Sequence, residues 1–231
     1  MSIDFTPFFK EYEPLLTLAD ATFDRIKKAY PDEVKCRIRC ADCCHAVFDV
    51  GLIEALYINH HFNRINGEGI KAQILEKANQ ADRKAHKLKR NAYKEIRGGK
   101  KEIEVLVEMS HERIRCPLLN RDDNCDLYTH RPITCRFYGL PTAIGGHGHT
   151  CGLSGFVEGK HYPTVNLDKI QDKLFNISYR LVKNIGSRYV KMGDMLIPLS
   201  MALLSEYDEE YLGVGDEPDV DPKADQSGRN R

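Results

Sequence analysis

Cys36, Cys40, Cys43 and Cys44 crowd four thiols into the stretch KCRIRCADCCH, and Cys116, Cys125, Cys135 and Cys151 form a second group; the 71 residues between the groups hold no cysteine. A thiolate is a soft ligand that suits zinc and iron–sulfur clusters. Packing needs no such concentration of sulfur, so the spacing predicts a two-part metal-ligand set in which all eight cysteines are candidates.

Disulfides are the competing use of an even cysteine count. The first residues, MSIDFTPFFKEYEPLL, lack a basic region followed by an apolar one, so nothing marks the chain for export. No apolar run approaches the ~18–20 residues of a membrane span. The expectation is a cytoplasmic protein with free thiols, where cysteine clusters mean metal or catalysis.

Two conformations of residues 36–44 lead to different chemistry. A helix would place the four thiols, at steps of four, seven and eight, within an arc of roughly 100°. A loop would present Cys36, Cys40 and Cys43 as C-x3-C-x2-C, the spacing by which radical SAM enzymes hold three irons of a [4Fe-4S] cluster. The context speaks against that enzyme class. Asp42 stands where such enzymes resemble one another in carrying an aromatic residue, and the chain shows no regular alternation of strands and helices.

The second group carries a more specific likeness. Cys116-Pro117-Leu118-Leu119, Cys125 with Tyr128, Arg131-Pro132 and Cys135-Arg136-Phe137 resemble the downstream signature of the YkgJ-like cysteine-cluster family, the CxxCxxCC zinc- or iron-chelating domain. The upstream hallmark resembles C-x2-C-x2-C-C, and here three residues rather than two separate Cys36 from Cys40. The resemblance spans roughly residues 36 to 151 and implies metal chelation. Flagellin lysine methylases carry a similar cluster, so the resemblance also admits an enzyme.

Zinc prefers four tetrahedral ligands, usually from two facing C-x2-C knuckles. Neither group is such a pair. Histidine-free thiolate ligation at four cysteines per cluster favours a [4Fe-4S] centre, with Zn2+ the alternative, and eight thiols serve one cluster with spares or two. Around them, Arg131 and Arg136 are candidates to offset thiolate charge or to donate hydrogen bonds to sulfur. Tyr128 reads as a buried packing residue, His45 as a candidate extra ligand, and Gly145-Gly146-His147-Gly148-His149 as a turn or a flexible metal-exchange loop. No nucleophile–base pair, phosphate loop or paired-carboxylate motif stands out.

The elements that must position these residues read as mostly helical. Apolar positions recur at three or four from Leu15 to Tyr30, before Pro31; again at about Leu52 to Asn63; and from Ile70 to Ile96 until Gly98-Gly99. A stripe from Leu167 to Ile185 starts after Asn166, a candidate N-cap, and stops at Gly186. A last helix falls around Pro198 to Tyr207. The segment from Ile114 to Phe156 is rich in Gly, Pro, Asn and Asp and reads as loops organised by something other than a hydrophobic core. Residues 1–212 are expected to form a single α-rich domain with a loop-built cysteine centre, and 213–231 a disordered tail.

With Lys+Arg and Asp+Glu at 34 each, net charge gives no argument for nucleic acid. The basic run from Arg83 to Lys101 lacks interleaved aromatics and reads as a solvated helix face. The expected function is a metal-binding protein, in electron transfer or as a structural or metal-handling module. The alternative is an enzyme using the cluster, methyltransferase-like or redox.

Overall fold

The computed structural model describes residues 3–215, with Leu106 and Ser110 described by their backbone alone. Among these residues the fold is mostly α, as the periodicity predicts. Helix α1 (Thr6–Ala29) buries Phe8, Phe9, Tyr12, Leu16, Ala19 and Ile26, a stripe at three- and four-residue steps. It begins two turns earlier than its apolar pattern indicates, after Asp4 accepts a hydrogen bond from the Thr6 amide at 2.9 Å. Pro14 lies inside this helix on its exposed side. The carbonyl that loses its partner there faces water, so the helix continues.

Helix α2 (Leu52–Phe62) is buried almost all round, including Leu52, Ile53, Ala55, Leu56 and Ile58, which marks a central element. It packs against α1, α6 (Leu167–Asn184) and α7 (Leu199–Leu204). The Asn166 side chain caps α6 by accepting from the Lys169 amide at 2.9 Å, and Gly186 beyond its end takes φ +67°. Helix α3 (Glu68–Arg97) covers about 45 Å at 1.5 Å per residue. It packs on α7 through Ile74, Ala78, Ala81 and Ala85, whose small side chains permit close approach. Helix α4 (Glu102–Ser110), which the sequence reading does not foresee, folds back on α3.

Strand β1 (Asp49–Gly51) pairs antiparallel with β5 (Leu196–Pro198), Val50 opposite Ile197, and so joins the entrance of α2 to that of α7. A second small sheet has the order β3-β2-β4. Its strands β2 (Thr142–Ile144) and β3 (His147–His149) form a hairpin across Gly145 and Gly146, both at positive φ, the conformation a two-residue turn requires. The glycine–histidine run is therefore a turn at Gly145-Gly146 followed by strand β3. Strand β4 (Val165–Asn166) pairs parallel to β2 and leads into α6. Short helix α5 (Ile133–Phe137) packs on α1.

One buried carboxylate ties this frame together. Glu54 of α2 accepts from the Tyr12 hydroxyl at 3.0 Å, the Ile133 amide at 2.9 Å and the Gly51 amide at 3.4 Å. Burial raises its pKa, and these donors oppose the rise. Nearby, the His61 and His130 rings stack 3.5 Å apart at 7°. Burial and the neighbouring His130 and His60 hold His61 down at about 4.

Gly213 and Val214 dock on the body: the Gly213 carbonyl accepts from the Arg188 amide at 2.9 Å, and Val214 packs against the core. The rest of the expected tail, from residue 216, lies outside the described residues.

Candidate metal centre

All eight cysteines are free and partly buried. Residues 36–44 are not a helix. Arg39 stands at φ +68°, a left-handed conformation that interrupts helical continuation, and the Cys40 amide closes a turn on the Arg37 carbonyl at 3.0 Å. Only Cys43–His45 forms a single helical turn, of 3-10 type. The loop is tethered at its start: Val34 is buried, and the Lys27 ammonium donates to the Cys36 carbonyl at 3.3 Å.

Backbone hydrogen bonds stitch the two cysteine groups together. The Cys116 amide donates to the Cys44 carbonyl at 2.7 Å, the Ile114 amide to that of His45 at 3.0 Å, and Ala46 bridges Arg113. Cys125 returns beside Leu119 in an antiparallel bridge. The loop between them is held by the Asn120 side chain, which accepts from the Asp122 and Asn124 amides at 3.0 Å each. Cys135 rides on α5, whose first amide is the Ile133 donor to Glu54.

Electrostatic neighbours regroup the thiols. Burial pushes Cys135 well up, and the charges of Cys116, Cys43 and Cys125 add to it. Burial raises Cys116 to about 12, with Cys125 and Cys43 contributing, while the Leu118 and Leu119 amides favour its thiolate. Cys125 is raised by burial against the pull of the Leu127 amide and of Arg131. Cys43, raised first by its contact with Cys44 (sulfurs 4.0 Å apart), completes this set. Elsewhere, burial and then Cys40, Cys151 and Cys43 raise Cys36 to about 11. Cys151 is raised by burial, Asp42 and Cys40 while its sulfur accepts from the Leu153 amide at 3.4 Å. The sequence groups of four and four thus become Cys43, Cys116, Cys125 and Cys135 on one side, with Cys44 against Cys43, and Cys36, Cys40 and Cys151 on the other. Cys43 stands between them.

The two sets differ in access. Cys116 and Cys125 pack against the hydrophobic core beside Leu118 and Leu127. Cys36, Cys40 and Cys151 line a cavity of about 550 Å3, together with Asp42, Gly139, Lys35, Arg37 and Arg39. Gly139, at φ +98°, is required here because a Cβ would lie 2.2 Å from the Cys36 sulfur. The Cys36 thiol donates to the Tyr138 carbonyl at 3.6 Å. Asp42 accepts from Arg113 at 2.6 Å, the Tyr138 hydroxyl at 3.3 Å and the Cys151 thiol at 3.7 Å. Asp42, Tyr138 and Gly139 are site residues that cysteine spacing does not reveal; the sequence marks Asp42 only as the residue before Cys43 that departs from the radical SAM pattern.

Several neighbours have roles other than those expected. Tyr128 is 62% exposed rather than buried, with the Arg131 guanidinium 3.9 Å over its ring. Arg136 is buried and donates to Asp20 and to the carbonyls of Thr129 and Arg131, not to sulfur. The His45 Nδ1 lies 3.0 Å from the Ala41 carbonyl. His147 and His149 are exposed on β3.

The donor set fits a metal centre in kind: free thiols, partly buried, with amide donors beside sulfur. A tetrahedral zinc site with bonds of ~2.3 Å separates its sulfurs by about 3.8 Å. The pair Cys43–Cys44 approaches that spacing, yet among the described residues no three Cys, His, Asp or Glu side chains converge on one ion. No described helix is long and apolar enough to cross a membrane.

The sequence profile of the CxxCxxCC family, described as "Putative zinc- or iron-chelating domain", matches residues 35–152. No curated protein and no solved structure matches the chain.

Proposed function

Since the chain belongs to the CxxCxxCC family of zinc- or iron-chelating domains, we propose that it is a cytoplasmic iron–sulfur protein. In this reading Cys43, Cys116, Cys125 and Cys135 hold a [4Fe-4S] cluster in an electron-transfer or structural role, with Cys44 at its edge. The observation that carries the proposal is the stitching of the Cys116 amide to the Cys44 carbonyl, which brings one cysteine of the first group among three of the second. Histidine-free, thiol-only ligation at four cysteines favours a polynuclear cluster over zinc in this reading. A bound cluster supplies one-electron transfer.

The chain's own residues set the conditions. Leu118, Leu127 and Phe137, all buried, keep water away from the thiols. The Leu118, Leu119 and Leu127 amides favour the thiolates of Cys116 and Cys125, and Arg131 adds positive charge near Cys125; such donors tune potential. The test is iron, sulfide and zinc analysis with an absorption spectrum on anaerobically purified protein. A brown protein with iron and sulfide is expected. A colourless one with stoichiometric zinc would replace the cluster with Zn2+.

A further inference from the structure

The long helix α3 carries one face that the fold does not use. At 100° per residue, Arg83, Lys87, Arg90, Lys94 and Arg97 fall within an arc of about 80°, and all five are exposed. That arc lies opposite the buried stripe of Ile74, Ala78, Ala81 and Ala85. Steps of four, three, four and three spread the five cations over about 21 Å at 1.5 Å per residue.

None of these cations has a carboxylate partner among the described residues. Cations of α3 at other angles are used inside the fold: the Lys77 ammonium donates to the Leu119 carbonyl at 3.1 Å, and Lys89 pairs with Asp49 at 2.6 Å. The two carboxylates of this half of the helix are engaged elsewhere, Asp82 by the Ser200 hydroxyl at 3.1 Å and Glu95 by Lys100 at 2.9 Å. Between residues 83 and 101 nine Lys and Arg stand against the single carboxylate Glu95, although the chain as a whole is balanced. Like charges three and four residues apart repel along a helix, so the stripe weakens the element that carries it and becomes favourable only against an anion.

The form of the stripe selects the anion. One strand of a duplex carries a phosphate every ~3.4 Å along its axis, about six over the length of the stripe, and release of the counterions condensed there drives binding. Carboxylates on a partner helix lack that contribution, and exposed ion pairs on their own add little. A helix that lies on a lipid surface turns an apolar face to it, whereas α3 turns its apolar stripe to α7. Single strands are gripped by aromatic platforms; Tyr93, the exposed aromatic of this stretch, falls outside the arc, with Arg97 5.7 Å over its ring. We infer that the outer face of α3 docks on the phosphate backbone of a double-stranded nucleic acid without reading its sequence. The inference uses no cysteine and stands apart from the metal reading.

The experiment is fluorescence anisotropy of a labelled duplex, made once as DNA and once as RNA, titrated with nucleic-acid-free full-length protein at salt from about 50 to 200 mM. Five phosphate contacts give a slope of log K against log salt of about −4.5, so affinity falls about 500-fold over that range. The more tightly bound duplex identifies the source of the phosphates. Lys87→Gln/Arg90→Gln/Lys94→Gln reduces the slope to about −1.8 and the fall to about twelvefold, with no loss in urea midpoint because repulsion is relieved. Arg83→Gln/Arg97→Gln, at the ends of the stripe, gives about −2.7 should the triple variant fail to fold. Lys169→Gln/Lys173→Gln/Lys183→Gln makes the triple variant's charge change on α6 and keeps the wild-type slope. No binding of either duplex at the lowest salt, a wild-type slope in both stripe variants, or an equal loss in the α6 variant overturns the inference. So does binding confined to phosphatidylserine vesicles or to polyglutamate.

Discussion

Replacing Glu54 tests whether the helical frame and the cysteine centre are mechanically joined. Its Oε1 accepts from both the Tyr12 hydroxyl and the Ile133 amide, while Oε2 faces the Gly51 amide at a longer 3.4 Å. Glu54→Ala strands two close donors in a dry interior, at ~1–3 kcal/mol each, and opens a small cavity. Relief from burying a carboxylate offsets part of this, leaving about 3–4 kcal/mol lost. Glu54→Gln keeps an acceptor at Oε1 and sets its amide against the weaker Gly51 contact, a loss of about 1–2 kcal/mol. Against a total of ~5–15 kcal/mol, the alanine variant is a severe perturbation and the glutamine variant a mild one. Urea denaturation at neutral pH measures both through the midpoint at unchanged slope. Because Ile133 opens the helix that carries Cys135, Glu54→Ala should also release metal faster to a chelator. An alanine variant within about 1 kcal/mol of wild type, the order of one weak hydrogen bond, or a glutamine variant worse than alanine, would refute the reasoning.

Gly139→Ala forces a Cβ to 2.2 Å from the Cys36 sulfur at φ +98°; the backbone alone costs ~1–3 kcal/mol. Denaturation should register that loss, while the metal proposed at Cys43, Cys116, Cys125 and Cys135 stays at wild-type content. His61 is held at about 4 in the folded state, below the ~6.5 of the unfolded chain, so the unfolded chain binds its proton more tightly. Stability is therefore complete above pH ~6.5 and declines as pH falls toward ~4; at pH ~5 the loss, halved for partial exposure, is about 1 kcal/mol. His61→Phe should flatten the stability profile in that window, and an unchanged slope in urea titrations would remove His61 as its source. Cys135→Ser should lose metal and be cut first between Ile114 and Phe156 in limited proteolysis while α3 and α6 stay protected. Equal resistance at full metal content would make Cys135 a bystander.

The long helices were legible because each buries its own stripe: Ile74, Ala78, Ala81 and Ala85 in α3, Leu174, Ile177 and Leu181 in α6. The start of α1 was hidden by Pro7 and Pro14, which signal breaks yet fall at its first turn and on its exposed face. Helix α4 escaped notice because it is only nine residues long and its apolar residues Ile103, Val105 and Val107 alternate at steps of two rather than at three or four, with Val105 buried and the other two exposed. The segment 114–156 is better anchored than its composition suggests. Leu118, Leu119, Leu127, Ile133, Phe137 and Leu140 are all buried, but only Ile133 and Phe137 share a helix, the five-residue α5, and turns bring the others inward, so no sustained period registers them. The cysteines were legible as a metal-binding pattern; their regrouping was not. It depends on Arg39 in a left-handed conformation and on the β2–β3 hairpin that leads to Cys151 beside Asp42, and neither carries a spacing signal.

The interleaving of the two thiol sets has a consequence for the order of events on the ribosome. The set proposed to hold the metal, Cys43, Cys116, Cys125 and Cys135, is complete sixteen residues before Cys151 finishes the set that lines the cavity. At ~5–20 residues per second, synthesis delivers the first set about one to three seconds before the second. In the proposed reading, the chain's linear order therefore offers metal the first set while Cys36 and Cys40 still lack their third neighbour.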